Sequence, residues 1–125
     1  MNALLADPRV QRLFRVLFVA AMIGAVLFAL SPAVDDPFAS LWDKLKHAIT
    51  FGVLTALAAF AWRDTPLLRI GERLSFLGAL IEVFQSIPAL HRDCSPKDWI
   101  ADTLAIAAVL ALAKASGLRD EAAQN

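Results

Sequence analysis

The chain alternates long apolar runs with short polar segments. Four runs contain few charged residues, and they cover residues 13–30, 45–62, 74–90 and 99–115. Each has the length of roughly 17–25 residues that a helix needs to cross a bilayer core about 30 Å thick. The pattern therefore predicts an all-α fold, a four-helix transmembrane bundle that forms a single integral membrane domain over residues 1–125.

The segments between the runs are polar and contain residues that end helices. Residues 31–40 hold two prolines and two aspartates, residues 63–66 read Arg-Asp-Thr-Pro, and residues 91–97 are mostly polar. A polar arm, residues 1–11, precedes the first run. That run is followed by Ser-Pro-Ala at 31–33, which resembles a signal-peptide cleavage site, so either a retained span or a removed signal fits the first run.

Lysines and arginines cluster at alternate ends of the four runs. They precede the first run, separate the second from the third and follow the fourth, as Arg9, Arg12, Arg15, Arg63, Arg69, Arg73, Lys114 and Arg119. The other two connections balance acids against bases. Because basic flanks stay in the cytoplasm, we expect both termini to be cytoplasmic and the balanced connections to face outward.

Composition supports a membrane protein and excludes other classes. Apolar residues make up 58% of the chain, against roughly 45–50% in soluble domains. Twelve basic and twelve acidic residues leave no net charge, so no nucleic-acid partner is expected. Cys94 is the only cysteine, which excludes an intrachain disulfide and a thiolate zinc site. We expect no cofactor and no metal, and metal binding by His47 is less favoured than a hydrogen-bonded packing role.

Polar side chains interrupt the apolar runs at the ends that should face outward. They are paired at helical spacings of three or four residues and comprise Lys44 with His47, Glu82 with Gln85, and Asp98 with Asp102. An acid inside a membrane faces protein, water or a cation, because lipid does not solvate its charge. We therefore expect the six side chains to line a shallow outward-facing cavity.

The same residues form three ordered motifs. Lys-x-x-His opens one run, Glu-x-x-Gln lies late in the next, and an arginine precedes an Asp-containing last run, with the matches Lys44, His47, Glu82, Gln85, Arg92, Asp98 and Asp102. Over residues 41–113 the chain thereby resembles the VanZ-like membrane family. The resemblance implies a multi-pass bundle in a bacterial-type inner (cytoplasmic) membrane, and a link to resistance against the glycopeptide teicoplanin.

Two hypotheses of function follow. In the first, the cavity recognises an envelope lipid or a cell-wall-related component, with Lys44 and Arg92 on phosphate and the acids on an amine or hydroxyl. In the second, the protein is an intramembrane enzyme in which Glu82 is general acid or base, His47 its proton partner and Arg92 the group that stabilises negative charge. A purely structural alternative for Glu82 is a buried ion pair that holds the helices together. The expected partners are membrane lipid and an envelope ligand, and the oligomeric state stays open.

Overall fold

A computed structural model describes residues 2–29, 39–87 and 96–117 of the chain. These residues form the helices α1 Asn2–Ala6, α2 Pro8–Ala29, α3 Ala39–Ala61, α4 Leu67–Gln85 and α5 Pro96–Ser116. They contain no strand, so the all-α prediction is confirmed. The Ser-Pro-Ala pattern at 31–33, Arg92 and most of the two connections that are predicted to face outward lie outside the described residues.

The first long helix begins earlier than the apolar run. The sequence predicts a polar arm over residues 1–11, but α2 starts at Pro8. The Asp7 carboxylate accepts a hydrogen bond of 2.8 Å from the backbone N–H of Arg9, which satisfies one of the free donors of the first turn. Proline suits the first helical position because its missing N–H is not needed there. These two residues extend the helix beyond its apolar part.

The third predicted run is shifted along the chain. The sequence predicts a span over 74–90, whereas α4 covers Leu67–Gln85. Its buried residues follow a helical stripe, namely Leu67, Ile70, Gly71, Leu74, Gly78, Ile81, Glu82 and Gln85. Arg69, Glu72 and Arg73 lie on the exposed side of the first turns. A search for uninterrupted apolar residues misses these turns because they are amphipathic.

Helix α3 lies against each of the other long helices. It runs antiparallel to α2, because Arg15 near the start of α2 donates from Nε to the Ala61 carbonyl at the end of α3, over 3.0 Å. Helices α4 and α5 are also antiparallel, since Gly71 lies beside Leu110 and Gly78 beside Trp99. The ends of α2 and α4 and the starts of α3 and α5 therefore meet at one end of the packed helices, called here the polar end.

The buried side chains between the helices are mostly apolar, and the outer surface is apolar too. The core includes Phe18, Phe51, Leu54, Ala58, Ile70, Leu74, Ile81 and Ile106. Large apolar side chains are also exposed on α2, α3, α4 and α5, among them Leu27, Ile49, Phe76 and Leu104. Exposed apolar faces on every long helix are unusual in a monomer that is surrounded by water.

Among the described residues, three helical segments are long and apolar enough to cross a membrane. They are Pro8–Ala29, Lys44–Ala61 and Pro96–Ser116. Helix α4 is not among them, since it carries Arg69, Glu72, Arg73 and Glu82 within 19 residues. The composition and the surface are thus those of a membrane protein with at least three potential spans.

Candidate functional site

Five polar side chains are buried at the polar end, and we call them the polar cluster. Their exposed fractions are 6% for His47, 6% for Glu82, 1% for Gln85, 5% for Asp98 and 0% for Asp102. The sequence pattern singles out all five. Buried polar groups require hydrogen bonds or opposite charges in their surroundings, because burial removes their water. The cluster therefore needs an explanation beyond packing.

The helical stripes bring these side chains inward. On α4 the buried stripe continues through Glu82 to Gln85, one turn further on. On α5 the buried positions are Asp98, Asp102, Ile106 and Ala113, so both acids occupy the face that continues into the core. His47 lies one turn before the core residue Phe51 on α3. The polar cluster is thus the continuation of the apolar core towards the helix ends.

Three members of the polar cluster lie within reach of one another. His47 Nδ1 lies 3.5 Å from Asp102 Oδ1. One side-chain ligand atom from each of His47, Glu82 and Asp102 lies within 4.8 Å of the other two. These residues come from α3, α4 and α5, so the contact joins three helices. Residues from three motifs that are separate in the sequence are therefore neighbours at the polar end.

Gly78 lies against Asp102, with room there for a methyl group. A Cβ atom at Gly78 would lie 3.4 Å from Asp102 Oδ2 and 3.5 Å from both Phe51 Cζ and Trp99 Cδ1. A larger side chain on this face of α4 would occupy the space of the carboxylate. The close approach of α4 to α5 is further held by the Trp99 indole N–H, which donates to the Ser75 carbonyl over 3.0 Å.

Gln85 connects the polar cluster to α2. Its Nε2 donates a hydrogen bond of 2.8 Å to the Ala29 carbonyl. Ala29 is the last residue of α2, and the backbone carbonyls at a helix end receive no hydrogen bond from within the helix. The amide thus satisfies a carbonyl at a buried helix end. This contact agrees with a structural role for Gln85.

A cavity of about 350 Å³ lies between α2 and α3 and touches the polar cluster. Its walls are mostly apolar and are formed by Ala21, Gly24, Ala25, Phe28, Ala29, Ile49, Phe51, Val53, Leu54 and Ile81. Lys46, His47 and Thr50 supply the polar part of the lining. Between Lys46 and Leu54 the cavity extends about 12 Å along α3, at 1.5 Å per residue. It is an elongated apolar slot with its polar groups towards the polar end.

The structure does not place the remaining predicted site residues in the group formed by His47, Glu82 and Asp102. Lys44 is partly exposed, and among the described residues no ion pair links it to Glu82 or Asp102. Asp98 is buried but does not belong to the group of three ligand atoms within 4.8 Å. Arg92, which completes the predicted set, lies outside the described residues.

Lys46 is a residue that the sequence analysis does not single out. Its Nζ lies 5.0 Å from the centre of the Phe28 ring, and it lines the cavity beside His47. The signal in the sequence is the helical spacing of residues 46, 50, 53 and 54, which places them on one side of α3. The Lys-x-x-His motif directs attention instead to Lys44, which lies on the same helical face as His47.

The site combines an imidazole and two carboxylates in a buried position. Such groups accept and donate protons, and they bind cations through nitrogen and oxygen. The start of α5 favours the negative charge of Asp98, which lies in its first turn, through the helix dipole. The cavity adds an apolar binding surface next to these groups.

Comparison of the chain with protein-family models, with curated proteins and with solved structures finds no match. The site itself is therefore the basis for inferring function.

Proposed function

We propose that the protein is a multi-pass membrane protein that binds a lipid of the cell envelope. The observation that carries this proposal is the slot between α2 and α3, which is apolar along its length and carries Lys46 and His47. This distribution matches an amphiphile with an apolar tail and a polar headgroup. The acyl chain lies in the slot, and the headgroup lies at the polar end.

Lys46 is suited to hold an anionic headgroup. Its Nζ lies 5.0 Å from the centre of the Phe28 ring. A lysine in this position keeps its ammonium group at the membrane surface while its methylene groups contact apolar side chains. In this proposal Lys46 takes the phosphate-binding role that the motif assigns to Lys44, and Arg92 is its expected partner. Glu82 and Asp102 face an amine or hydroxyl of the same headgroup.

The proposal includes a four-helix transmembrane bundle in which α4 is the fourth span. The 19 residues of α4 give a length of about 28 Å, close to the core thickness of about 30 Å. Exposed Phe76, Val83 and Phe84 give α4 an apolar outer face. Its charged residues at positions 69, 72 and 73 lie in the first two turns, where headgroups and water reach them.

The basic residues at alternate helix ends support cytoplasmic termini in a bacterial-type inner membrane. Reporter domains fused after Asp36 and Asp93 should register outside, and those fused after Asp64 and Asp120 inside. A reporter after Asp64 that registers outside would move the polar end to the cytoplasmic leaflet. A mature chain that begins near residue 34 would instead show that α2 is a removed signal.

The VanZ-like motifs extend the proposal to an accessory role in the cell envelope. Members of that family are linked to teicoplanin resistance, and an envelope lipid or cell-wall precursor is a ligand that fits this role. Expression of the chain in a sensitive bacterium should raise the teicoplanin concentration that inhibits growth. The matched comparison is a chain with Gly24→Leu, which obstructs the slot.

Lipid retention is the direct test. The full chain is purified in native lipid particles, and co-purified lipids are identified by mass spectrometry. Gly24 lines the slot, and open space surrounds the position of its missing Cβ, so Gly24→Leu places four carbons there without a backbone clash. We expect this variant to lose the enriched lipid. Ala20→Leu, on the exposed side of α2, is the matched control and should retain it.

A second pair of variants tests the headgroup contact. Lys46→Gln removes the ammonium group at the slot and should reduce the enrichment of anionic over zwitterionic lipids. Lys114→Gln removes an exposed lysine in the last turn of α5, and enrichment should be unchanged. Equal lipid profiles for wild type, Gly24→Leu and Lys46→Gln would refute the proposal. Equal profiles for wild type and Glu82→Gln would show that Glu82 does not contact the headgroup, and would leave the rest of the proposal standing.

The second candidate function is an intramembrane enzyme that acts on an envelope lipid. The observation in its favour is the separation of 3.5 Å between His47 Nδ1 and Asp102 Oδ1, with Glu82 in the same group. This places a proton acceptor beside a proton donor. Release of a product from the co-purified lipid, abolished by Glu82→Gln in a folded chain, would favour the enzyme. A lipid that is retained without turnover favours the binding protein.

A further inference from the structure

The polar cluster contains a set of ligand atoms that no motif indicates as a metal site. We propose that His47, Glu82 and Asp102 bind one divalent transition-metal cation, with Zn²⁺ as the representative ion. The sequence alone favours a packing role for His47 over metal binding, and the three residues lie in separate runs, 35 and 20 positions apart. Folding brings one ligand atom from each to within 4.8 Å of the others.

The distances fit a metal site. Two ligand atoms that each lie about 2.1 Å from a zinc ion at the tetrahedral angle are about 3.4 Å apart. His47 Nδ1 and Asp102 Oδ1 are 3.5 Å apart, which matches this separation. It exceeds the 2.9–3.0 Å that is most common for an N–H···O hydrogen bond.

The chemistry of the ligand atoms favours a transition metal over magnesium or calcium. Magnesium and calcium prefer oxygen ligands, whereas an imidazole suits zinc, iron, nickel or copper. Three side-chain ligands are also the number found in zinc sites that keep a fourth position for water or another molecule. The nitrogen ligand is therefore the basis for choosing Zn²⁺ as the probe.

Burial and charge also support a cation at this point. All three side chains are at most 6% exposed, and two of them are carboxylic acids. A divalent cation would compensate the negative charge of both carboxylates in a region where water cannot do so. It would also join α3, α4 and α5 at the polar end, next to the contact between Gly78 and Asp102.

This site shares Glu82 and Asp102 with the proposed headgroup contact, but it does not depend on the apolar slot. Gly24→Leu obstructs the slot from α2 without changing a metal ligand, so lipid binding and metal binding can be lost separately. A chain that binds zinc but no particular lipid supports the metal site and refutes the lipid proposal. A chain that retains a lipid but no zinc does the reverse.

The test uses the full chain in detergent, stripped of metal with a chelator. Zn²⁺ is added, unbound metal is removed, and the zinc content is measured by mass spectrometry. We expect one zinc per chain and a higher melting temperature after zinc addition. Asp102→Asn and Glu82→Gln should weaken binding by at least roughly 100-fold, since even an outer-shell change costs about 10–100-fold. Glu72→Gln, an exposed residue of α4, is the matched control and should bind like wild type.

X-ray absorption on the wild-type protein keeps the proposal testable if a variant fails to fold. Zinc in this site should show nitrogen and oxygen neighbours at about 2.0–2.2 Å, and a sulfur neighbour at about 2.3 Å would indicate Cys94 instead. The proposal is overturned by that sulfur signal, by less than stoichiometric zinc in the wild type, or by equal zinc content in wild type and folded Asp102→Asn. The last two results would leave Glu82 as a member of an ion-pair clamp.

Discussion

Replacement of Gln85 by methionine should destabilise the protein by removing one hydrogen bond. The Gln85 amide is 1% exposed and donates to the Ala29 carbonyl over 2.8 Å. Methionine has a similar length but no donor, so packing changes little while the carbonyl loses its partner. Hydrogen bonds contribute about 0.5–1.5 kcal/mol in water-soluble proteins, and those between membrane helices average about 0.6 kcal/mol. Because this carbonyl is a buried helix end, we expect a loss of about 1–2 kcal/mol.

The assay is unfolding in mixed micelles of mild detergent and dodecyl sulfate, followed by tryptophan fluorescence. Gln11 supplies a matched control, because its Nε2 donates to the Ala6 carbonyl over 3.2 Å at an exposed position. Gln11→Met should change stability by less than about 0.5 kcal/mol, as exposed substitutions usually do. If Gln85→Met and Gln11→Met have the same small effect, Gln85 does not tie α2 to α4 in the folded protein.

Substitutions at two further positions test the packing around the site. Arg15→Met removes a hydrogen bond to α3 and a guanidinium group 5.7 Å from the centre of the Trp62 ring. In the same assay, its free energy of unfolding should therefore be about 1–2 kcal/mol lower than that of the exposed control Arg12→Met. An equal loss in both variants would contradict this contact. Gly78→Ala should bind zinc normally, because its Cβ fits at 3.4 Å from Asp102, whereas Gly78→Val should lower the zinc content by displacing that carboxylate. Normal zinc content in folded Gly78→Val would count against the packing argument.

The sequence is sufficient to predict a helical membrane protein, because an apolar run that is long enough to span a bilayer satisfies its backbone hydrogen bonds as a helix. It is less informative about where helices begin and end. Helix α2 extends to Pro8 through a local cap, and α4 begins at Leu67 because an amphipathic turn needs only one buried face. The helical spacing of apolar residues indicates a helix start at Leu67, whereas the length of the uninterrupted apolar run does not.

The candidate site was partly predictable for a related reason. Polar residues within apolar runs had to face inward, so His47, Glu82 and Asp102 were identified from their surroundings in the sequence. Their mutual distances depend on how closely α4 and α5 approach at Gly78, which no pattern in one helix determines. Lys46 was missed because its role depends on the neighbouring helix α2. The structure, and not the motif, distinguishes it from Lys44.

The position of Glu82 on its helix distinguishes a metal site from an ion-pair clamp. Glu82 lies three residues before the end of α4, where the helix carries partial negative charge. A charged carboxylate there is destabilised by about 0.3–1 kcal/mol, and a positive partner offsets this interaction. If that partner is the bound metal, Glu82→Gln in metal-free protein should be as stable as wild type or more stable, and zinc should stabilise it less than wild type. If the partner is Arg92, Glu82→Gln removes the carboxylate of that pair and should lower stability with or without zinc, by about 3–5 kcal/mol for a pair shielded from water. Unfolding of both chains in chelator and in zinc therefore decides between the two roles, and a large loss in chelator would refute the metal as the principal partner of Glu82.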